Sequence, residues 1–270
     1  MVNNKLATLT IVILLGIVGF AITGIAGVPS HAAVKIPSHA VEIAPGLYDL
    51  GQAVVDGEVV QGYMFIDFKK AAAKPSGPPK PGNNTSTCYA FLSSGAKWKQ
   101  TEQYTLNPAN ADGINDSVVA SNIAGSLNAW DAQVAFPIFS SGNLTASTLV
   151  ADTVSPDNVN EVYFSSIDGT GSIAVTIVWG VFSGPPSGRK LIEWDMVFDD
   201  AEFAFGNADI NAAVMDLLSI ATHESGHAAG MDHPDGSCTE ETMYAYASTG
   251  ETKKRTLNSG DIAGIKSLYK

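Results

Sequence analysis

Three of the five histidines in this 270-residue chain fall in one window, Ala221-Thr-His-Glu-Ser-Gly-His-Ala-Ala-Gly-Met-Asp-His233. His223 and His227 are four residues apart, so on a helix they project from one face, one turn apart. Two imidazoles placed this way can share a Zn²⁺ ion at about 2.0–2.1 Å. Glu224 is rotated to the side of that pair. Its carboxylate can reach a water held by the metal more easily than the metal itself. Gly230 is suited to the left-handed turn that ends a helix. The chain can then double back so that His233 completes a three-histidine site, with Asp232 the one rival for third ligand. Three protein ligands leave a fourth position open, which marks a catalytic rather than a structural zinc. A bare H-E-x-x-H pair can occur in ordinary helices. The added glycine and third histidine at fixed offsets make coincidence a poor explanation.

The elements that must hold these residues can be read around them. Asn211 to Ala229 reads as the helix carrying the pair, capped by Asp209 or Asn211 and docked through Val214, Leu217, Leu218 and Ala221. A second helix runs from about Ser117 to Gln133 after Asp116 as cap, with Val119, Ile123, Leu127, Trp130 and Val134 on one apolar face. Strands are expected at Val162–Ile167, Ile173–Trp179 and Leu191–Phe198, and a short helix at Ser259–Tyr269. Residues 33–68 read as short strands, the clearest being Tyr63-Met-Phe-Ile-Asp-Phe68. Lys69 to Gly82 is too rich in proline and glycine to pack a core and reads as a semi-rigid linker.

These readings divide the chain into 1–32, a signal peptide or N-terminal anchor; 33–82, a small segment and linker; and 83–270, the globular domain. Ala7 to Val28 is apolar and long enough for either N-terminal role, and Ser30-His31-Ala32 offers small residues for cleavage after Ala32. Contact with a membrane is expected only through this segment, in a chain that is secreted or held at the outer face of the cell. With 27 acidic against 15 basic side chains the net charge is −12, which argues against nucleic acid as a partner. Sequons stand at Asn83, Asn84, Asn115 and Asn143.

H-E-x-x-H-x-x-G-x-x-H followed by a methionine turn is the metzincin signature, and Met243 in Glu241-Thr-Met-Tyr-Ala-Tyr246 is the matching methionine. Met243 followed directly by Tyr244 resembles the matrixins, including their short microbial members. The order of elements over about 95–270 is also similar to theirs; only 223–246 is motif-specific. The resemblance implies an α+β fold: a mixed twisted sheet packed with the active-site helix and a C-terminal helix. It implies a zinc endopeptidase acting on peptides or proteins through a zinc-bound water. His223, His227 and His233 would be the ligands, Glu224 the general base, and Tyr244 or Tyr246 an oxyanion or pocket residue. Leu191–Phe198 resembles the strand that precedes the active-site helix, and in that family an edge strand pairs with an extended substrate. Calcium also belongs to the family. The Asp168-Gly-Thr-Gly171 loop is one candidate for it, with a solvated turn the stronger reading. A second zinc is not expected, since no further histidine lies in the domain.

In matrixin-like folds the start of the domain can pack near the methionine turn, which makes a Cys88–Cys238 disulfide the expectation for an exported chain. The rival, a cysteine switch in which Cys88 caps the metal, is disfavoured because Thr87-Cys88-Tyr89 lacks the flanking residues of that motif. A non-catalytic surface-layer or binding protein keeping a metzincin fold is the alternative function, against which an intact Glu224 speaks.

Overall fold

Three β-branched or aromatic stretches build the middle of the sheet. The computed structural model describes residues 31–70 and 87–270. The strands of its main sheet are β1 (Val41–Ala44), β2 (Leu47–Val55), β3 (Glu58–Lys69), β4 (Thr105–Leu106), β5 (Asn143–Leu144), β6 (Glu161–Phe164), β7 (Ser172–Val181), β8 (Lys190–Phe198) and β9 (Tyr246–Ala247). Their order across the sheet is β1-β2-β3-β7-β8-β6-β4-β5, with β9 pairing β3 outside that path. β4, β5, β6 and β8 run parallel, β7 runs antiparallel to β8, and β3 runs antiparallel to β7. This is the mixed α+β sheet expected.

The sheet is buried on both faces, which is why β7 and β8 are nearly continuous apolar runs rather than alternating ones. On one face Trp194, Met196 and Phe198 pack with Trp130, Leu217 and Ile220 under the helices. On the other face Val175, Ile177, Trp179 and Val197 share a second cluster with Leu50, Val60, Met64 and Ile66 of the adjoining β2–β3 hairpin and with Val34, Leu149 and Ala151. The hairpin turns at Asp56-Gly57, where both residues have positive φ (51° and 83°), the backbone a tight two-residue turn requires.

Helix α1 spans Asp116–Asp131 and is capped by Asn115, whose side chain accepts from the Ser117 amide, one residue before the expected cap. Its buried residues Val119, Ile123, Leu127 and Trp130 are those of the expected face. Helix α2 is shorter than the apolar pattern suggested, Leu217–Ala228. Its cap is neither Asp209 nor Asn211 but Asp216, which accepts from the Ser219 amide at 2.9 Å. Residues 215–216 instead pair in parallel with Phe205–Gly206, which withholds them from the helix. Helix α3 spans Ser259–Leu268 behind a capping box of Asn258 and Asp261.

The Leu191–Phe198 strand is not an edge. As β8 it lies between β7 and β6. The edge of the 105–198 part of the sheet is β7, and β3 covers it. The expected leader and anchor at 1–30, most of the expected linker, and the sequons at Asn83 and Asn84 lie outside the described residues. Among the described residues no helix is long and apolar enough to cross a membrane.

Candidate metal centre

Helix α2 presents His223 and His227 from one face, as their spacing requires, and ends at Ala229. Gly230 then takes φ 98°, and a side chain there would press on the Ala96 carbonyl oxygen at 3.0 Å. That left-handed residue turns the chain into Met231–Asp232, which pairs antiparallel with Ala90–Phe91 and delivers His233. The three Nε2 atoms lie 3.1–3.2 Å from one another. Ligands at about 2.0–2.1 Å on a tetrahedral ion are separated by about 3.3 Å. Three imidazoles converging on one point, each by the same nitrogen, therefore fit a single zinc ion. The Asp232 carboxylate accepts from the His233 amide at 2.7 Å and is not among the converging donors.

The outer nitrogens are tied to the main chain. His223 Nδ1 donates to the Thr242 carbonyl at 2.6 Å and His227 Nδ1 to the Met231 carbonyl at 3.1 Å. These bonds fix the rings and leave the Nε2 lone pairs to the centre. Burial, helped for His227 by the neighbouring His233, holds both imidazoles below their ordinary pKa, in the neutral form a metal binds.

A fourth donor arrives from the other end of the chain. Asp67 on β3 places Oδ2 2.6 Å from His223 Nε2 and Oδ1 3.3 Å from His233 Nε2. Burial alone would raise this carboxyl; the imidazoles of His223 and His233 that face it outweigh that and hold Asp67 well below the usual carboxylate range. Two residues earlier on the same strand face, Phe65 stacks on His227 with ring centroids 3.9 Å apart.

Glu224 is fully buried beside this group. Thr176 on β7 donates to its Oε2 at 2.5 Å, and Oε1 has no hydrogen-bond partner. Burial, and then the charge of Asp67, push the Glu224 carboxyl well above the ordinary range. Thr176 orients this carboxyl through Oε2, and its raised affinity for a proton suits a group that accepts one.

Met243 lies beneath the helix. A Cβ on Gly226, between the two helical histidines, would come within 2.2 Å of the Met243 sulfur, so glycine is what admits the methionine. The turn is fixed by Asp261, whose carboxylate accepts from the amides of Thr242 (2.7 Å) and Met243 (3.1 Å). Glu241 reciprocates by accepting from Gly260 and Asp261 at the start of α3. Cys88 and Cys238 form a disulfide, S–S 2.08 Å, joining the first described residues after the expected linker to the loop before the turn. Tyr246 sits on β9 paired with Phe68 of β3, and Tyr244 packs edge-on against Tyr246 with ring centroids 5.5 Å apart.

Sequence reasoning did not identify Asp67, Phe65, Thr176, Asp261 or Lys254. Lys254 is buried, with Nζ 3.0 Å from His223 Nδ1 and donating to the Tyr244 carbonyl. Asp67 had a usable signal: a lone acid inside the apolar run Tyr63–Phe68 needs a buried partner.

A second group of acids lies elsewhere on the sheet. Asp152, Glu193 and Asp195 bring their oxygens within 4.8 Å of one another. Burial and mutual repulsion push Glu193 up to about 9 and Asp195 well above its ordinary value. At Asp168–Gly171 the Gly171 amide donates to both oxygens of Glu202 at 2.9 Å.

A family profile described as Matrixin matches residues 97–270. Among curated proteins, "Metalloendoproteinase 1-MMP" of Arabidopsis thaliana is 24% identical over 193 residues, 69% of this chain and 48% of that protein. "Metalloendoproteinase 5-MMP" of the same plant is 32% identical over 93 residues, 32% of this chain and 24% of that protein. "Matrix metalloproteinase-25" of Homo sapiens is 32% identical over 83 residues, 30% of this chain and 14% of that protein. The chain thus spans about half the length, or less, of the curated relatives it matches.

Proposed function

The chain belongs to the matrixin family, and on that premise we propose that it is a zinc-dependent endopeptidase with Glu224 as its general base. The observation that carries this reading is the convergence of three Nε2 atoms at 3.1–3.2 Å beside a buried glutamate with one oxygen unused. A zinc ion held there would acidify water and polarise the scissile carbonyl. His223, His227 and His233 would hold the ion. Thr176 aims the Glu224 carboxylate, which takes the proton of the attacking water at Oε1 and returns it to the departing amine. Met243 and Asp261 hold the floor of the site in place.

We further read the chain as exported. Its apolar N-terminal stretch would direct it out of the cytoplasm, and the Cys88–Cys238 bridge suits an oxidising compartment. Peptide or protein is the substrate class.

The test is incubation of a peptide library with the zinc-loaded chain, both intact and cut between Lys70 and Cys88, with new termini read by mass spectrometry. Cleavage by at least one form, abolished by a chelator and restored by zinc, is expected. No zinc-dependent cleavage by either form overturns the reading. One observation favours a second reading, a closed non-catalytic centre: Asp67 supplies a fourth donor, and structural zinc sites have four protein ligands. The two readings part on whether β3 can leave.

A further inference from the structure

We propose that the cut freeing the exported chain from its leader falls at the Ser30–His31 bond, so that the exported chain keeps His31 as a peg seated in the sheet. The inference rests on the reading of the chain as exported and is independent of the peptidase chemistry. It moves the boundary expected after Ala32.

Three observations carry it. The first is the seat of the His31 ring. The residue is only 8% exposed, and its imidazole stacks on Tyr163 of β6 with ring centroids 4.7 Å apart. The Leu149 amide, 118 residues away, donates to its Nδ1 at 3.0 Å. Tyr163 holds the same stretch from the other side, its hydroxyl accepting from the Ala151 amide at 2.8 Å. Leu149 and Ala151 are both buried in the outer cluster. A cut after Ala32 would take away the ring that fills this place and leave the buried Leu149 amide without its acceptor.

The second is the main chain that follows. The Ser165 hydroxyl lies 3.2 Å from the carbonyl oxygens of both His31 and Ala32, to which it can donate. The Val34 amide donates to the Ser166 carbonyl and the Asp168 amide to the Val34 carbonyl, each at 2.9 Å. Val34 thereby bridges in parallel with Ile167. Residues 31–34 are thus laid along residues 165–168. His31 and Val34 point inward and are buried, while Ala32 and Ala33 are exposed. The two buried side chains are the pegs of this stretch, and a cut after Ala32 would remove one of them together with both carbonyls that Ser165 reaches.

The third is that the sequence around the bond permits either cut. A leader peptidase needs compact residues in an A-x-A-like arrangement before the bond it opens. Val28-Pro29-Ser30 and Ser30-His31-Ala32 both supply them, directly after the apolar stretch that ends at Val28. The fold separates the two, because only the first keeps His31 on the exported side. In that cut, water adds across the Ser30–His31 amide under the cell's leader peptidase, leaving a carboxylate on Ser30 and an α-amine on His31.

The test expresses the full-length chain in an exporting host and reads intact mass and N-terminal sequence of the chain recovered outside the cytoplasm. The exported chain is expected to begin at His31. Ser30→Leu, which spoils the residue before the proposed bond, should abolish or move the cut. Ala32→Leu, at an exposed position, should leave it where it is. A start at Ala33 or beyond, or a cut indifferent to Ser30→Leu, overturns the proposal while leaving export standing. A chain found only in the cytoplasm with its leader intact removes the export reading, and this one with it. The seat is checked separately by amide exchange of the full chain. His31→Ala should quicken exchange at Leu149 and Val34 by at least about tenfold, and His31→Asn, whose Oδ1 can stand in for Nδ1, should restore part of the protection at Leu149. Exchange at both amides unchanged in His31→Ala would show that His31 is not a peg, and would remove the reason for placing the cut before it.

Discussion

Two arms of the chain meet at the metal centre, and they are built on different principles. The arm from α2 to the methionine turn is local: His223, Glu224, His227, Gly230 and His233 fall within eleven residues, and the helix period and one left-handed glycine place them. The arm from β3 is distant: Asp67 is 156 residues from His223 and is placed only by strand register. Local spacing can be read as geometry before any fold is known. Register cannot, because a one-residue slip of β3 would turn Asp67 and Phe65 to the opposite face. The three converging imidazoles thus lie in the arm that sequence reveals, and the fourth donor in the arm that it hides.

If the division is sound, the largest effect belongs to the first arm. Glu224→Ala should lower peptide hydrolysis by the cut chain by about 10²–10⁴-fold, the range for loss of a general base, while one zinc per chain is retained. Elemental analysis beside a rate measurement checks both halves. Unchanged turnover would place the proton transfer elsewhere.

Next is the bridge that ties the first arm to the start of its own domain. Replacing Cys88 and Cys238 by alanine opens a loop of 150 residues. The chain-entropy model gives up to about 5 kcal/mol for such a loop, less where the unfolded chain keeps structure. At about 2–4 °C per kcal/mol, Tm should fall by roughly 10–20 °C in a calorimetric scan. A drop below about 2 °C would mean the bridge constrains little.

The second arm is probed by Phe65→Ala. The ring is fully buried against His227, so its loss should cost about 3–5 kcal/mol in urea unfolding. Loosening of β3 should also bring faster amide exchange across Gln61–Phe68, a stretch that pairs with β7. A loss of stability without faster exchange there would show that the ring supports the core and not the strand's seat.

The smallest effect contrasts Asp67 with the other buried acids. Asp67 faces imidazoles and is held low; Glu193 faces acids and is pushed up to about 9. An unfolded glutamate titrates near 4.3. The folded state therefore binds the extra proton, and the stability this gives is full below about pH 4.3 and is lost as pH rises through 9. Glu193→Gln cannot titrate. Its Tm should match wild type near pH 4 and exceed it by at least about 3 °C at pH 9, roughly 1 kcal/mol in a domain of this size. A gap that narrows with rising pH would reverse the assigned direction.

Much of the frame was legible. The helix faces Val119–Trp130 and His223–His227, the apolar runs at β7 and β8 and the C-terminal helix follow from periodicity. The Cys88–Cys238 pairing was expected from the family's fold, and the structure has it. The start of α2 was misplaced because Met215–Asp216 pairs with Phe205–Gly206, a contact no local pattern announces. The β2–β3 hairpin did carry a signal, Asp56-Gly57 between apolar runs, but its seat on β7 did not. β8 was set beside a substrate edge because it resembles the strand before the active-site helix in the family; in the structure β7 and β6 flank it.

The central claim is that one zinc ion is held by His223, His227 and His233 with Asp67 closing the set, and zinc K-edge X-ray absorption of the intact chain tests it most directly. The account predicts one zinc per chain with three imidazole nitrogens and one oxygen at about 2.0–2.2 Å, and a first shell that changes in Asp67→Ala while the three-imidazole scattering persists. A sulfur scatterer, fewer than three imidazoles, or a first shell indifferent to Asp67 would contradict it.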